Sequence, residues 1–113
     1  MRVVITGGAG FLGKLLAQKI LERGLLRDTG GDLREVSELV LVDMAAAQGE
    51  PWLTDRRVSQ VVGDVADRPV LARALTPATG SVFHLAAVVS GQAEADFDIG
   101  MRVNVDATRT LLE

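Results

Sequence analysis

Three spaced glycines near the start of the chain have the residue types and the spacing of a phosphate-binding turn. Residues 6–13 read Thr-Gly-Gly-Ala-Gly-Phe-Leu-Gly and follow the apolar run at residues 3–5. In such a turn Gly7 permits the tight bend, Gly10 lets the backbone approach a pyrophosphate, and Gly13 lets the next helix pack closely. The pyrophosphate then lies on unpaired N–H groups at the positive end of that helix. The pattern therefore favours a dinucleotide site over a purely structural turn.

A carboxylate that could bind a ribose follows the next apolar run, at residues 39–42. Asp43 stands where a dinucleotide fold places the acceptor for the adenosine ribose hydroxyls, although a solvated aspartate at a strand end is the alternative. Its separation from the glycine turn exceeds the usual ~20 residues because a polar loop at residues 25–37 intervenes. A carboxylate there repels a 2′-phosphate, so we expect NAD to be preferred to NADP.

A second aspartate, Asp64, follows Gly63 at the end of a third apolar run. Its carboxylate could accept a hydrogen bond from an adenine amino group. It could equally be a turn or capping residue before the next helix. The residue types leave both interpretations open.

Residues 82–87 read Val-Phe-His-Leu-Ala-Ala and end a fourth run with small side chains. Small residues let a cofactor lie against the backbone, and tight helix packing is the alternative explanation. His84 is the only histidine of the chain, and within an apolar strand it is interpreted as a core residue. Because no second histidine accompanies it, we expect no metal site.

Two further polar groups could reach a cofactor from other elements. Asn104 shares one face of the last predicted helix with apolar residues, and a buried amide needs hydrogen-bonding partners. It could bridge helix and sheet backbone or extend into the cofactor pocket. Trp52 is interpreted as a cover for apolar surface rather than a stacking partner for adenine.

The elements that must position these residues alternate between strand and helix, which predicts an α/β fold with a parallel sheet covered on both faces. The predicted elements are strands at 2–6, 39–43, 57–63 and 82–87, and helices at 11–23, 68–75 and 93–113, with loops at 25–37 and 44–55. Asp67 is a plausible N-cap of the second helix. We expect a Rossmann-type, doubly wound sheet of which the chain forms the first half, with strand order 3-2-1-4.

Composition narrows the function classes. The 113 residues allow one domain at most. Twelve basic and fifteen acidic residues give a net charge of −3, which argues against affinity for nucleic acid or anionic membranes. The absence of cysteine excludes disulfides and thiolate zinc sites, and we expect a cytoplasmic protein. No apolar run approaches the ~18 residues of a membrane span.

Taken together, the motifs resemble the extended short-chain dehydrogenase/reductase family, also called the NAD-dependent epimerase/dehydratase family. The matching segments, in the family's order, are residues 6–13, 43, 63–65, 84–87 and 104–108. In the last segment Ala107 replaces the glycine that the family usually has. This change is small beside the agreement of the other segments.

The resemblance implies a role for each matching position, with NAD as the cofactor and a homodimer as the assembly. By the family's pattern, Phe11 and Leu12 contact the pyrophosphate and Asp43 binds the ribose. Asp64 and Val65 contact the adenine. The middle of the cofactor is lined by Leu85, Ala86 and Ala87, and Asn104 lies near its nicotinamide side. Residues 88–98 are most similar to members that oxidise four-carbon sugar acids. Nucleotide-sugar epimerisation or dehydration and a non-catalytic dinucleotide sensor are the alternatives.

The family's catalytic Tyr-x-x-x-Lys pair does not occur in this chain. It contains no tyrosine, and its only lysines, Lys14 and Lys19, lie on the first predicted helix. The helical pattern is still running at Glu113. We therefore expect residues 1–113 to be the N-terminal part of an NAD-binding domain, without the substrate-binding part, and inactive by itself.

Overall fold

A four-stranded parallel sheet with helices on its two faces forms the centre of the fold. The computed structural model describes residues 1–28 and 30–86. Its elements in chain order are β1 (Arg2–Thr6), α1 (Phe11–Arg23), β2 (Leu25–Arg27), β3 (Leu33–Glu35), β4 (Glu38–Asp43), β5 (Val58–Val62), α2 (Arg68–Ala74) and β6 (Thr79–His84), with a short 3-10 helix at Pro51–Thr54. The helix expected at residues 93–113 lies outside the described residues.

The order of the strands in the sheet is β5-β4-β1-β6, and every neighbouring pair is parallel. Without the small hairpin formed by β2 and β3, this is the order 3-2-1-4, so the predicted topology is confirmed. The parallel arrangement brings the carboxyl ends of all four strands to one edge of the sheet. Ligands of open α/β sheets bind outside such an edge.

Alternate side chains of the central strands pack against different helices, so the core consists of two clusters. Val3 of β1 and Leu39 of β4 pack with α1, whereas Val4 packs with α2. Successive side chains of a strand point to opposite faces, so a continuously apolar strand contributes side chains to the clusters on both faces of the sheet. α1 contributes Ala17, Ile20 and Leu21 to its cluster, and α2 contributes Val70, Leu71 and Ala74.

Two local expectations differ from the structure, and a third, the N-cap of α2, is confirmed in position only. Residues 25–37, predicted as a loop, contain the antiparallel hairpin of β2 and β3, closed by Asp28, whose carboxylate accepts the N–H groups of Gly30 and Asp32. The last described strand spans Thr79–His84 rather than 82–87, because it pairs with β1 from Arg2 onward. Asp67 occupies the N-cap of α2 but makes no side-chain capping bond.

No helix in the described part of the chain is long and apolar enough to cross a membrane.

One ion pair fixes the chain just before β5. Arg57 donates from Nη2 to Asp55 Oδ2 at 2.7 Å and from Nε to Asp55 Oδ1 at 3.0 Å. These side-chain bonds, followed in importance by the bond that the backbone N–H of Arg57 donates to Asp55 Oδ1, lower the pKa of Asp55 from 3.8 to about 2. A carboxyl whose pKa is lower in the folded state stabilises the fold above its unfolded pKa. That contribution is lost as the pH falls from about 4 to about 2.

Replacing Arg57 with methionine should therefore weaken the dependence of the free energy of unfolding on pH between about 4 and about 2. We expect the free energy of unfolding to fall by about 1 kcal/mol or less at neutral pH, since the pair is partly exposed, and the difference to shrink as the pH falls from about 4 to about 2. Urea unfolding across this pH range measures it. Arg56→Met is the matched control, because Arg56 is exposed and its charge is the smallest of the causes that lower the pKa of Asp55. Equal pH profiles for the two variants would contradict this assignment.

Candidate functional site

The glycine turn is attached to the end of β4 and to the segment that follows β6. Gly7 N and Gly8 N both donate to the carbonyl of Val42, at 2.8 and 3.2 Å. Gly7 has a φ of 75°, and a Cβ built on it would lie 2.8 Å from Leu85 C and 2.9 Å from Ala86 N. The turn therefore requires glycine here for its conformation and for the close approach of two backbone segments.

The first turn of α1 presents N–H groups to which no residue in the described part of the chain is bonded. Gly10 is the N-cap residue, no side chain caps the helix, and its first turn contains no acidic residue. The first intrahelical bond runs from Lys14 N to Gly10 O at 2.9 Å. Within residues 1–28 and 30–86, no acceptor bonds the N–H groups of the residues between them, at 11–13. A helix end of this kind attracts an anion such as a pyrophosphate.

The side chains of this helix start leave the approach to those groups open. Phe11 and Leu12 are 80% and 65% exposed. Gly13 is buried, and a Cβ on it would overlap the carbonyl oxygen of Gly7. The close packing of α1 on the turn thus depends on the absence of a side chain at Gly13.

Asp43 lies within hydrogen-bonding distance of the turn. Its Oδ2 accepts the N–H of Ala9 at 3.0 Å, and its Oδ1 accepts the N–H of Met44 at 2.7 Å. Each carboxylate oxygen has further acceptor capacity, so the group can still bind hydroxyl donors. Its backbone carbonyl accepts the N–H of Gly63 at 2.9 Å, which joins the end of β5 to the same edge.

The two residues proposed for adenine begin the turn before α2. Asp64 Oδ1 accepts the N–H of Ala66, and its carbonyl accepts the N–H of Asp67, both at 2.9 Å. The turn role is thus present in the structure, and the adenine contact stays a prediction. Val65 is 4% exposed and packs in the cluster of α2 with Val70, so its side chain belongs to the core.

The end of β6 is tied to the buried Thr6. The carbonyl of Thr6 accepts the N–H of Leu85 at 3.0 Å, and its Oγ1 accepts the N–H of Ala86 at 3.3 Å. His84 Nδ1 lies 2.6 Å from the same hydroxyl. Burial lowers the pKa of His84 and so favours the neutral imidazole. The contact with Thr6 gives His84 a structural role. In the described ranges, no group of side chains could hold a metal ion.

The structure thus brings Gly7, Asp43, Leu85 and Ala86 together at one edge, with Asp64 beside them. The positions of Ala87 and Asn104 lie outside the described residues. Trp52 packs over the apolar cluster beneath α1, as the sequence suggested.

Two contacts that hold the loop after Asp43 were not anticipated from the sequence. The side-chain amide of Gln60 accepts the N–H of Ala47 at 2.7 Å and donates to its carbonyl at 3.3 Å. Lys14 Nζ lies 3.5 Å from Glu50 Oε1. A glutamine amid the apolar residues of β5 is the one sequence signal that could have indicated the first contact.

Curated relatives match the whole chain. It is 58% identical over 113 residues to a D-erythronate dehydrogenase of Cupriavidus necator, covering 100% of this chain and 34% of that protein. It is 36% identical over 113 residues to a D-erythronate dehydrogenase of Haemophilus influenzae, covering 100% of this chain and 33% of that protein. The chain spans about a third of the length of these relatives.

Solved structures agree with the fold. The dTDP-glucose 4,6-dehydratase DesIV of Streptomyces venezuelae, solved with NAD, has a TM-score of 0.80 at 30% identity, over 99% of this chain and 34% of that one. A nucleoside-diphosphate-sugar epimerase of Agrobacterium tumefaciens has a TM-score of 0.73 at 34% identity, over 98% of this chain and 31% of that one.

A sequence model described as the 3-beta hydroxysteroid dehydrogenase/isomerase family matches residues 4–113. This match confirms the resemblance to NAD-dependent epimerases/dehydratases of the short-chain dehydrogenase/reductase type. The chain belongs to the 3-beta hydroxysteroid dehydrogenase/isomerase family.

Proposed function

We propose that residues 1–113 are the N-terminal part of the NAD-binding domain of an oxidoreductase that oxidises a small sugar acid such as D-erythronate. The observation that carries the proposal is the geometry of the turn: unpaired N–H groups of α1 lie beside a carboxylate that is bonded to Ala9. Pyrophosphate and ribose hydroxyls are the two ligand groups that this pair of features suits.

NAD fits the residues that are present. The first turn of α1 would hold the pyrophosphate, Asp43 would accept the ribose hydroxyls, and Leu85 and Ala86 would border the middle of the cofactor. When bound, NAD accepts a hydride from the carbon that bears the oxidised hydroxyl group. The chain's own contribution is to bind and orient the cofactor, because it contains no tyrosine to act as proton acceptor.

The sugar-acid substrate rests on the relatives, since both named here are D-erythronate dehydrogenases. Conversion of a nucleotide-sugar is the second candidate, because DesIV and the Agrobacterium protein carry such names. A non-catalytic dinucleotide sensor would share the cofactor site but not the reaction. We further propose a cytoplasmic homodimer that binds neither nucleic acid nor membranes.

A pair of activity assays tests the function. The longest natural form of the protein should form NADH with D-erythronate, whereas the 113-residue chain alone should form none. The lost general acid–base catalysis contributes roughly 10²–10⁴-fold, before any loss of substrate binding. NADH absorbance is the measurement, with a no-protein blank as control.

Each alternative predicts a different result. Turnover of a nucleotide-sugar without net NADH formation would favour an epimerase or dehydratase. NAD binding without turnover of either substrate by the longest form would favour the sensor. NADH formation by the 113-residue chain would show that the proton acceptor lies within it.

A further inference from the structure

We infer that Gln60 is a positioning residue for the cofactor: by holding the loop at residues 44–50, it fixes Asp43 in the orientation that discriminates NAD from NADP. This inference rests on the proposed NAD site. It concerns a side chain that lies outside the family's motif, on the edge strand β5.

The loop after Asp43 has a single buried residue. Between Met44 and Gly49 only Ala47, at 5% exposure, enters the core, where it joins the cluster beneath α1. The remaining residues of that stretch are exposed. Ala47 is therefore the residue through which the stretch 44–49 is anchored in the core, and the ion pair of Lys14 with Glu50 holds the next position.

Burying Ala47 also brings its backbone N–H and carbonyl into the protein, where each needs a partner. Gln60 supplies both, accepting the N–H at 2.7 Å and donating to the carbonyl at 3.3 Å. Gln60 pairs in register with Leu41, whose side chain belongs to the cluster beneath α1, so the amide lies on the face where Ala47 is buried. One side-chain amide of β5 thus binds both backbone groups of Ala47.

This anchor acts on Asp43 through the start of the loop. The carboxylate is oriented by two N–H groups, Ala9 N from the glycine turn and Met44 N from the loop itself. Releasing Ala47 frees the loop to move, and Met44 N moves with it. The carboxylate then keeps one of its two orienting bonds, which weakens both its acceptance of ribose hydroxyls and its repulsion of a 2′-phosphate.

The test compares Gln60→Met, which removes both amide bonds at similar size, with Gln48→Met, an exposed residue of the same loop. In the longest natural form of the protein, Gln60→Met should raise the Kd for NAD about fivefold. The Kd for NADP should stay unchanged or fall. Gln48→Met should alter neither, and Gln60→Glu, which retains the acceptor for Ala47 N, should lie between wild type and Gln60→Met.

A purely structural role gives another pattern. Equal weakening of NAD and NADP binding by Gln60→Met, in parallel with a lower Tm, would overturn the inference, as would unchanged affinities. If Gln60→Met does not fold, Gln60→Glu still tests the inference, because it should raise the Kd for NAD relative to the Kd for NADP by a smaller factor. The effect of Gln60→Met on the NAD/NADP ratio should also disappear when Asp43 is replaced by alanine, and its persistence there would overturn the inference.

The outcomes separate this inference from the proposed function. Failure of the wild-type protein to bind NAD would remove the proposed site. Binding of NAD with the expected loss in Asp43→Ala, but with no change in Gln60→Met, would remove only the role of Gln60.

Discussion

Replacing Gly13 with alanine should destabilise the fold more than any other single-methyl addition in the glycine turn. The new Cβ would overlap Gly7 O and lie 2.8 Å from Gly8 Cα, and both atoms are backbone that side-chain rotation cannot displace. We expect a loss of about 3 kcal/mol in the free energy of unfolding, net of the gain of up to 1 kcal/mol from alanine's helix propensity. Urea denaturation monitored by circular dichroism measures the change.

Gly10→Ala is the matched control in the same turn. Gly10 is exposed with a φ of −77°, and a Cβ there would meet only Gly7 O, at 3.4 Å. The control should unfold within about 0.5 kcal/mol of wild type. Its NAD affinity should nevertheless fall, because the methyl group stands where the pyrophosphate approaches. A Gly13→Ala protein as stable as wild type would show that α1 is not packed against the turn.

The parts of this fold that the sequence predicted well are those with strong local signals. β1 and α1 have the predicted bounds, because an apolar run, a glycine turn and a C-terminal Gly24 define them within a short stretch. Gly24 ends α1 in the left-handed region, at a φ of 74°. The parallel sheet could be predicted because a helix follows β1 and another follows β5 along the chain.

The parts that differ depend on partners distant in sequence. The start of β6 is set by its pairing with Arg2 and by the packing of Gly80 beneath Met1, which no local pattern reveals. The hairpin of β2 and β3 consists of three-residue strands, too short for a periodic signal. Gln60 likewise bonds Ala47, thirteen residues away, and the sequence pattern does not identify that partner.

Removing the carboxylate of Asp43 should change the cofactor preference of the protein. Wild type should bind NAD about 100-fold more tightly than NADP, because a like-charge contact between Asp43 and a 2′-phosphate costs several kcal/mol. Asp43→Ala should reduce that ratio at least tenfold, that is by about 1.4 kcal/mol. Calorimetric titration of both cofactors into each protein measures the four affinities.

Replacing Asp43 with asparagine removes the negative charge but keeps an acceptor for the N–H of Ala9 in the glycine turn. The amide oxygen can still accept the N–H of Ala9, which the carboxylate binds at 3.0 Å, while the negative charge is gone. The other carboxylate oxygen accepts the exposed N–H of Met44, a bond that the amide nitrogen cannot make. The asparagine variant should therefore lose the discrimination against NADP and yet keep most of the thermal stability of wild type. The alanine variant should lose both, since it leaves Ala9 N without its acceptor. If wild type binds the two cofactors equally, or if neither variant shifts the ratio toward NADP, then Asp43 serves the glycine turn alone and the ribose assignment fails.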